Sequence, residues 1–407
     1  MHRPGVLDVV DGVVTWVGSP EDAPPPPGAV HDVGGLLMPG LVNAHAHTPM
    51  TLVRGAGDGL ALDRWLEDVV WPLEARFTED DVRWGMLLGC AEMLGYGVTT
   101  TCEMYLHGRT VAEAALEAGI RCVLTPGIFE LPGGLTWQQA LDDAVQVHAD
   151  FHGREGRLTV GLGPHSAYAV PDEGLVATAR TAGELGALVQ IHVAETAAED
   201  PAIPGRLARL GLFDVPVLAA HSIWLSDADL DLYRHHDVAV AHCPQSNGKL
   251  GSGVARVADM LALGIRVGLG TDGPASNDNL DLWEEMRLAP LLSRASAADA
   301  SLVPTAAALR MATRGGAEAL GLATGSLEPG RPADFVRVEL ADPSFVPALD
   351  DRELLAHLVW AAPSRLVTDV WVGGRPVVVD GRCTTIDVDE ARRQVAERAR
   401  RIRDGGR

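Results

Sequence analysis

The sequence predicts an α/β protein, a distorted (β/α)8 TIM barrel beside a small β-sandwich domain built from the N- and C-terminal segments. Three observations predict it. Short continuous apolar runs alternate with amphipathic stretches from residue 36 to residue 320, and continuous apolar runs are the mark of parallel strands buried on both faces. Eight such runs span the central part of the chain, and histidine or aspartate stands at the carboxyl end of several, where a barrel collects its active site. β-like segments flank this region on both sides, and each is too small to bury a core alone.

In chain order, the first 38 residues hold a β-like run at 6–17, then the breaker Ala23-Pro24-Pro25-Pro26-Pro27-Gly28. With no P-x-x-P repeat beyond it, the proline run reads as a rigid connection between two short strands. Strand-like runs follow at 36–44, 98–104, 121–128, 159–164, 187–193, 215–220, 238–242 and 265–270. Amphipathic stretches lie between most of them, at 80–94, 110–118, 137–152, 172–185, 226–234 and 254–263. After a helical pattern at 304–320 the chain turns β-rich, with runs at 335–340, 369–372 and 376–379 and a closing amphipathic helix at 387–403. The expected division is 1–38 for the N-terminal part of the sandwich, 39–321 for the barrel, and 322–407 for the C-terminal part with its terminal helix.

Composition excludes several function classes. Hydrophobic residues make up 47% and charged residues 22% of the 407, an ordinary globular balance. The formal net charge of −22 repels phosphate backbones and anionic lipid, so neither nucleic acid nor membrane is expected as a partner. There is no apolar run of about 18 residues, and Met1-His2-Arg3-Pro4 does not open a targeting segment, so a cytoplasmic location is expected. Cys90, Cys102, Cys122, Cys243 and Cys383 are odd in number and form no C-x-x-C pair, which fits small buried residues in a reducing compartment. Lys249 is the single lysine among 33 basic residues.

The chemistry starts at His45-Ala46-His47, at the end of the first barrel run. Strand residues i and i+2 share a face, so both imidazoles can reach one ion. Alone this pair is weak evidence. Three further matches add weight: Ile191-His192-Val193-Ala194-Glu195 ends the fifth run, Ala219-Ala220-His221-Ser222 the sixth, and Gly270-Thr271-Asp272-Gly273 the eighth. Singly, each would suit a hydrogen-bonded core histidine or a helix-capping aspartate. Five such groups on four strand ends do not suit that explanation.

These residues resemble the amidohydrolase superfamily, and within it the cytosine-deaminase-like branch with its methylthioadenosine/S-adenosylhomocysteine deaminases and triazine hydrolases. The similarity also runs through Pro39-Gly40-Leu41-Val42-Asn43-Ala44-His45, Trp71-Pro72-Leu73-Glu74, Gly163-Pro164-His165-Ser166, Ala241-His242-Cys243-Pro244, Ser246-Asn247 and Gly325-Ser326-Leu327-Glu328-Pro329-Gly330. The resemblance implies one divalent metal, zinc first and Fe2+ as the alternative, held by His45, His47, His192 and Asp272. It implies a catalytic set of Glu195 as the acid that protonates a substrate ring nitrogen, His221 orienting the attacking water, and Asp272 relaying that water's proton to the departing ammonia.

Two further positions look substrate-directed by the same resemblance. Glu74 matches a glutamate that accepts hydrogen bonds from ribose hydroxyls, and otherwise reads as a solvated loop glutamate. His165 matches a histidine that contacts substrate, or orients a ligand instead. Trp65 and Trp71 either stack on a flat heterocycle or belong to the core.

The departures are informative. Binuclear members bridge two metals through a carbamylated lysine on an early-to-middle strand, and no lysine precedes Lys249 here, so a mononuclear site is expected. Deaminases of this branch that take a homocysteine tail hold it with arginines near the third strand. Here Leu124-Thr125-Pro126-Gly127-Ile128 and Pro132-Gly133-Gly134-Leu135 contain none. The expected activity is therefore hydrolytic deamination of an adenine-type ring in an adenosine-derived nucleoside, a small heterocyclic substrate. The alternative is a deaminase or hydrolase of a free purine base, pterin or s-triazine. Such barrels commonly form homo-oligomers, and no interface is legible in the sequence.

Overall fold

The computed structural model describes residues 1–130 and 135–405. The β-like run at the start is a hairpin of β1 (Val6–Val10) and β2 (Val13–Gly18). Asp11 and Gly12, both at positive φ, make its two-residue turn, as the twist of an antiparallel pair requires. The run expected at 36–44 is two strands, β3 (Leu36–Pro39) and β4 (Leu41–Ala46). They part at Gly40, where an added Cβ would lie 2.2 Å from Thr99 Oγ1, so only glycine lets the chain pass between sheets.

The barrel strands follow as β5 (Val98–Tyr105), β6 (Arg121–Ile128), β7 (Leu158–Val160), β8 (Gly163–Pro164), β9 (Val189–Val193), β10 (Val217–His221), β11 (Ala239–His242) and β12 (Val267–Leu269). All pairings among them are parallel, in the orders β4-β5-β6-β7, with β8 also on β6, and β9-β10-β11-β12. Single bridges join the two sheets into a closed barrel. Leu162 meets Val189 and Ser166 meets His192 on one seam, and Ala46 meets Asp272 on the other. The fourth strand, expected as one run at 159–164, is thus split into β7 and β8, and the barrel is distorted at that break.

The helices between strands begin with capping boxes where the sequence offers them. Thr78 with Asp81, Thr136 with Gln139 and Ser226 with Asp229 each satisfy two orphan amides, at the heads of Glu79–Gly95, Trp137–Phe151 and Asp227–His235. Several helices were not expected, among them the short Ile203–Arg209 and Pro244–Lys249 and two longer ones. Leu282–Ala297 follows the last barrel strand and carries Pro290 inside it, a residue that reads as a breaker in sequence. Asp351–Trp360 interrupts the β-rich tail and is capped by Asp350. The pattern at 304–320 is one continuous helical path with a π turn at Met311–Gly315.

The remaining strands, β13 (Phe335–Val338), β14 (Val367–Val372), β15 (Arg375–Val379) and β16 (Arg382–Cys383), extend an antiparallel sheet in the order β16-β15-β14-β13-β3. The β1–β2 hairpin lies against it through the Val13–Pro332 bridge, with Val14, Ala333 and Phe335 forming a small core of their own. The terminal helix Val388–Arg403 packs on Glu79–Gly95, where Arg401 reaches buried Asp81 at 2.5 Å.

One buried ion pair ties this sheet to the barrel. Asp334, immediately before β13, accepts from Arg121 Nε at 2.7 Å and Nη2 at 3.1 Å, from Thr324 Oγ1 at 2.8 Å and from the Gly373 amide at 2.6 Å. Its own carbonyl takes the Gly40 amide at 3.1 Å. Arg121 opens β6, so the pair bridges two sheets. Asp334→Ala leaves an unpaired guanidinium in a closed site. Chemical denaturation should show a loss of about 3–5 kcal/mol, the usual result of removing one partner of a buried pair. A loss below about 1 kcal/mol, the range of exposed pairs, would reduce it to a surface contact.

Candidate metal centre and active site

His45 is the penultimate residue of β4 and His47 the second after it, so the strand period aims both rings to one side. His192 is the penultimate residue of β9 and His221 the last of β10, while Asp272 follows β12. Their side chains converge. Asp272 Oδ1 lies 3.3 Å from His45 Nε2 and 3.2 Å from His47 Nε2, and His47 Nε2 lies 3.3 Å from His192 Nε2. One donor atom each from His45, His192, His221 and Asp272 falls within 4.8 Å of the others. His221 thus joins the cluster alongside His47, a nearness that strand spacing alone could not reveal.

The outer edges of these rings are tethered. His47 Nδ1 bonds Met104 O at 2.6 Å, His192 Nδ1 bonds His165 O at 2.7 Å, and His221 Nδ1 bonds Asn247 Oδ1 at 2.9 Å. A carbonyl only accepts, so each tether keeps the proton on Nδ1 and turns the Nε2 lone pair inward. Asp272 is oriented in the same spirit, for Ser246 and Ser276 both donate to Oδ2 at 2.6 Å and leave Oδ1 facing the histidines. Behind His47, buried Glu103 accepts from the Thr48 amide at 2.9 Å and from the Thr48 and Thr101 hydroxyls at 2.5 and 2.7 Å. That fixes the turn in which the second histidine sits.

Several groups are held in conformations the backbone resists. His221 and Asp272 have φ of 65° and 60°, and Ala194, just before Glu195, has φ of 50°. Left-handed non-glycine residues cost about 1–3 kcal/mol each and persist where surrounding bonds hold them. Here Glu199 supplies such bonds, accepting the amides of Ala194, Glu195 and Thr196 at 3.2, 2.7 and 3.1 Å.

The donor set fits a divalent metal. Imidazoles with inward lone pairs and a carboxylate are the ligands zinc takes, and His45 Nε2 is a buried nitrogen with no hydrogen-bond partner. Burial pushes the His45 imidazole down to about 4, which keeps it neutral. Burial alone would lower His47 as well, but the Asp272 carboxylate against it raises it to about 9. An ion would replace the proton in that contact.

The cluster floors a cavity that is open at its mouth. Glu195 enters from β9, is 4% exposed, and is pushed up to about 7 by burial, with Asp272 and Glu199 adding to the shift. Its Oε1 is 3.7 Å from His221 Nε2. His165 lies beside His192 with ring centroids 4.6 Å apart, and burial lowers it to about 3, so it is neutral. Also lining the cavity, half-buried Glu74 accepts from Tyr105 Oη at 2.6 Å. Burial raises its carboxyl while that bond opposes the rise. Trp65 and Trp71 both line the cavity, so neither is core alone, although Trp65 is 4% exposed and its indole N–H is spent on Ala56 O. Among the described lining residues there is no arginine or lysine. Pro132-Gly133-Gly134, read above as lacking a tail anchor, lies outside the described residues.

The structure therefore gathers His47, Glu74, His165, His192, Glu195, His221 and Asp272 around one cavity, with His45 packed beneath. The sequence reading left several supporting groups unassigned: Ser246, Asn247, Ser276, Glu103, Tyr105 and Gln190. Ser246-Asn247 was the single visible signal among them.

A parallel barrel that presents imidazoles and a carboxylate at its carboxyl strand ends is the architecture of a metal-dependent barrel enzyme. The chain belongs to the amidohydrolase family, whose model matches residues 36–377. It is 39% identical to a 5-methylthioadenosine/S-adenosylhomocysteine deaminase of Pelotomaculum thermopropionicum, over 99% of this chain and 95% of that protein. It is 38% identical to a 5'-deoxyadenosine deaminase of Methanosarcina mazei, over 98% and 95%. A solved adenosine deaminase of Xanthomonas campestris with bound zinc superposes with a TM-score of 0.93 at 34% identity, covering 98% of this chain and 94% of that one. No helix among the described residues is long and apolar enough to cross a membrane.

Equilibration with zinc and removal of excess should leave one ion per chain by elemental analysis. Stripping it with a chelator should lower the melting temperature, because a ligand at 100 times its Kd adds about 2.7 kcal/mol to the folded state. Identical melts with and without zinc would mean the cluster does not hold it.

Proposed function

We propose that the protein is a metal-dependent aminohydrolase that releases ammonia from the adenine ring of an adenosine-derived nucleoside, with zinc as the metal ahead of iron. The observation that carries this reading is the convergence on one cavity of the buried Glu195 carboxyl, 3.7 Å from His221 at the donor cluster, and a second carboxylate, Glu74. His45, His47, His192 and Asp272 are the proposed ligands. When bound, the metal supplies a water acidified toward neutral pH.

The chain's own groups do the rest. Glu195, holding its proton near pH 7, donates to a ring nitrogen and makes the adjacent carbon electrophilic. His221 orients the attacking water through Nε2, since Asn247 holds its other nitrogen. A C–O bond forms, the C–N bond to the exocyclic amine breaks, and the water's second proton, left on the new hydroxyl, returns to Glu195 as the ring carbonyl forms. Asp272 takes the water's proton on Oδ1, the oxygen not occupied by Ser246 and Ser276, and passes it to the departing ammonia. His165, neutral, contacts the ring or steadies His192. Glu74 holds the ribose, with Tyr105 presenting it.

Glu195→Gln preserves shape but cannot supply a proton. Turnover should fall on the order of 10²–10⁴-fold, with metal content and substrate binding retained. Near-normal turnover in this variant would remove Glu195 from the chemistry.

Competitive kinetics across adenosine, 5'-methylthioadenosine, S-adenosylhomocysteine, 2'-deoxyadenosine and adenine test the substrate. Two vicinal hydroxyls can donate charge-assisted bonds to Glu74, each worth about 1.5–3 kcal/mol, so ribonucleosides should beat the 2'-deoxy form and free adenine. Glu74→Ala should erase most of that preference. With no cationic side chain among the described cavity residues, a neutral 5' group should be accepted at least as well as a homocysteine tail. A win for adenine, guanine or a pterin would overturn the ribose role and favour a free-base enzyme.

A further inference from the structure

Three of the clustered histidines have Nδ1 on a carbonyl oxygen, and His45 is the exception. Its Nδ1 faces the side-chain amide nitrogen of Gln190, two residues before His192 on β9 and fully buried. An amide N–H aimed at Nδ1 makes that atom an acceptor, so the proton of the neutral ring must sit on Nε2. Nε2 is the atom turned toward Asp272 and the donor cluster. A ring in that tautomer has no lone pair to offer there.

The far side of the same amide carries a second conflict. Gln190 Oε1 lies 2.8 Å from Thr125 Oγ1 and 2.9 Å from Cys102 Sγ. Thr125 Oγ1 also lies 3.0 Å from the Glu103 carbonyl. One hydroxyl proton is thus claimed by two acceptors.

A half-turn of the amide, which exchanges nitrogen and oxygen in place, removes both conflicts. Oε1 then accepts from His45 Nδ1–H, and the NH2 group donates to Thr125 Oγ1 and toward Cys102 Sγ. The Thr125 proton goes to the Glu103 carbonyl alone. Hydroxyl and thiol can each donate or accept, so this surrounding tolerates either orientation. We propose that Gln190 is the positioning residue for His45: in the metal-loaded protein its amide turns Oε1 to Nδ1, fixing the tautomer whose Nε2 can ligate.

The inference rests on His45 being a metal ligand, and zinc affinity, measured by chelator competition, separates the two. Wild-type protein that binds no zinc overturns the ligand reading and this one with it. Given tight wild-type binding, Gln190→Leu should weaken zinc about 10–100-fold, the usual effect of losing such a partner. Gln190→Glu, which presents only acceptors, should restore affinity over the leucine variant. A leucine variant with wild-type affinity, or a glutamate variant no better than leucine, would overturn the positioning role alone. Should Gln190→Leu not fold, neutron diffraction of zinc-loaded wild-type protein decides. A deuteron on His45 Nδ1 supports the proposal, and an ND2 group facing that nitrogen overturns it.

Discussion

The active centre depends on closing the barrel between its first and last strands. The Asp272 amide donates to the His45 carbonyl at 3.0 Å, and Asn43 exchanges bonds with Thr271, donating to its hydroxyl at 2.8 Å and accepting its amide at 3.0 Å. Without this seam, residues 45 and 272 would have no reason to be neighbours. The approach needs Gly270, where a Cβ would meet His45 Cβ and O at 2.9 Å and Cys243 Sγ at 3.0 Å. The same contact that finishes the barrel therefore sets Asp272 against both histidines of the H-x-H pair. Fold stability and site geometry share one set of hydrogen bonds.

That economy has an electrostatic consequence. Burying His45, His192 and His221 with Asp272 and Glu195 in one small space is unfavourable for charged forms, so the protein must specify proton positions instead of leaving them to solvent. It does so by occupying the outer nitrogen of each ring and one oxygen of Asp272. The outer nitrogens of His47 and His192 meet backbone carbonyls, that of His221 the Asn247 side-chain oxygen, and that of His45 the Gln190 side-chain amide.

The barrel was legible because parallel strands buried on both faces must be apolar throughout, and β4, β5 and β9 are buried along their whole length. The candidate ligands were legible because polar residues at the ends of such runs are conspicuous. What escaped was whatever depends on contacts far apart in sequence. Leu282–Ala297 was missed because Pro290 is tolerated in a helix packed on the barrel wall. Gln190 and Glu103 were missed because they lie 145 and 55 residues from His45 and Thr48, with no periodic signal to join them. The left-handed backbone at His221 and Asp272 has no sequence mark at all, since neither residue is glycine.

Two carboxylates near one histidine cluster end with opposite proton affinities, and their surroundings explain it. Asp272 is buried, which alone would raise it, but the His45 and His47 imidazoles lie 3.3 and 3.2 Å from Oδ1 and two serine hydroxyls donate to Oδ2, so it is held well below the usual carboxylate range. Glu195 is equally buried, yet its carboxylate has a histidine edge only at 3.7 Å and two acidic neighbours, so burial prevails and lifts it to about 7. A group with many donors stays charged, and a group with few keeps its proton. An acid and a base can then work side by side at neutral pH, which is what hydrolysis of an aromatic amine asks of them. The assignment follows from hydrogen-bond donors counted around each oxygen, and it would reverse if the serines faced Glu195 instead of Asp272.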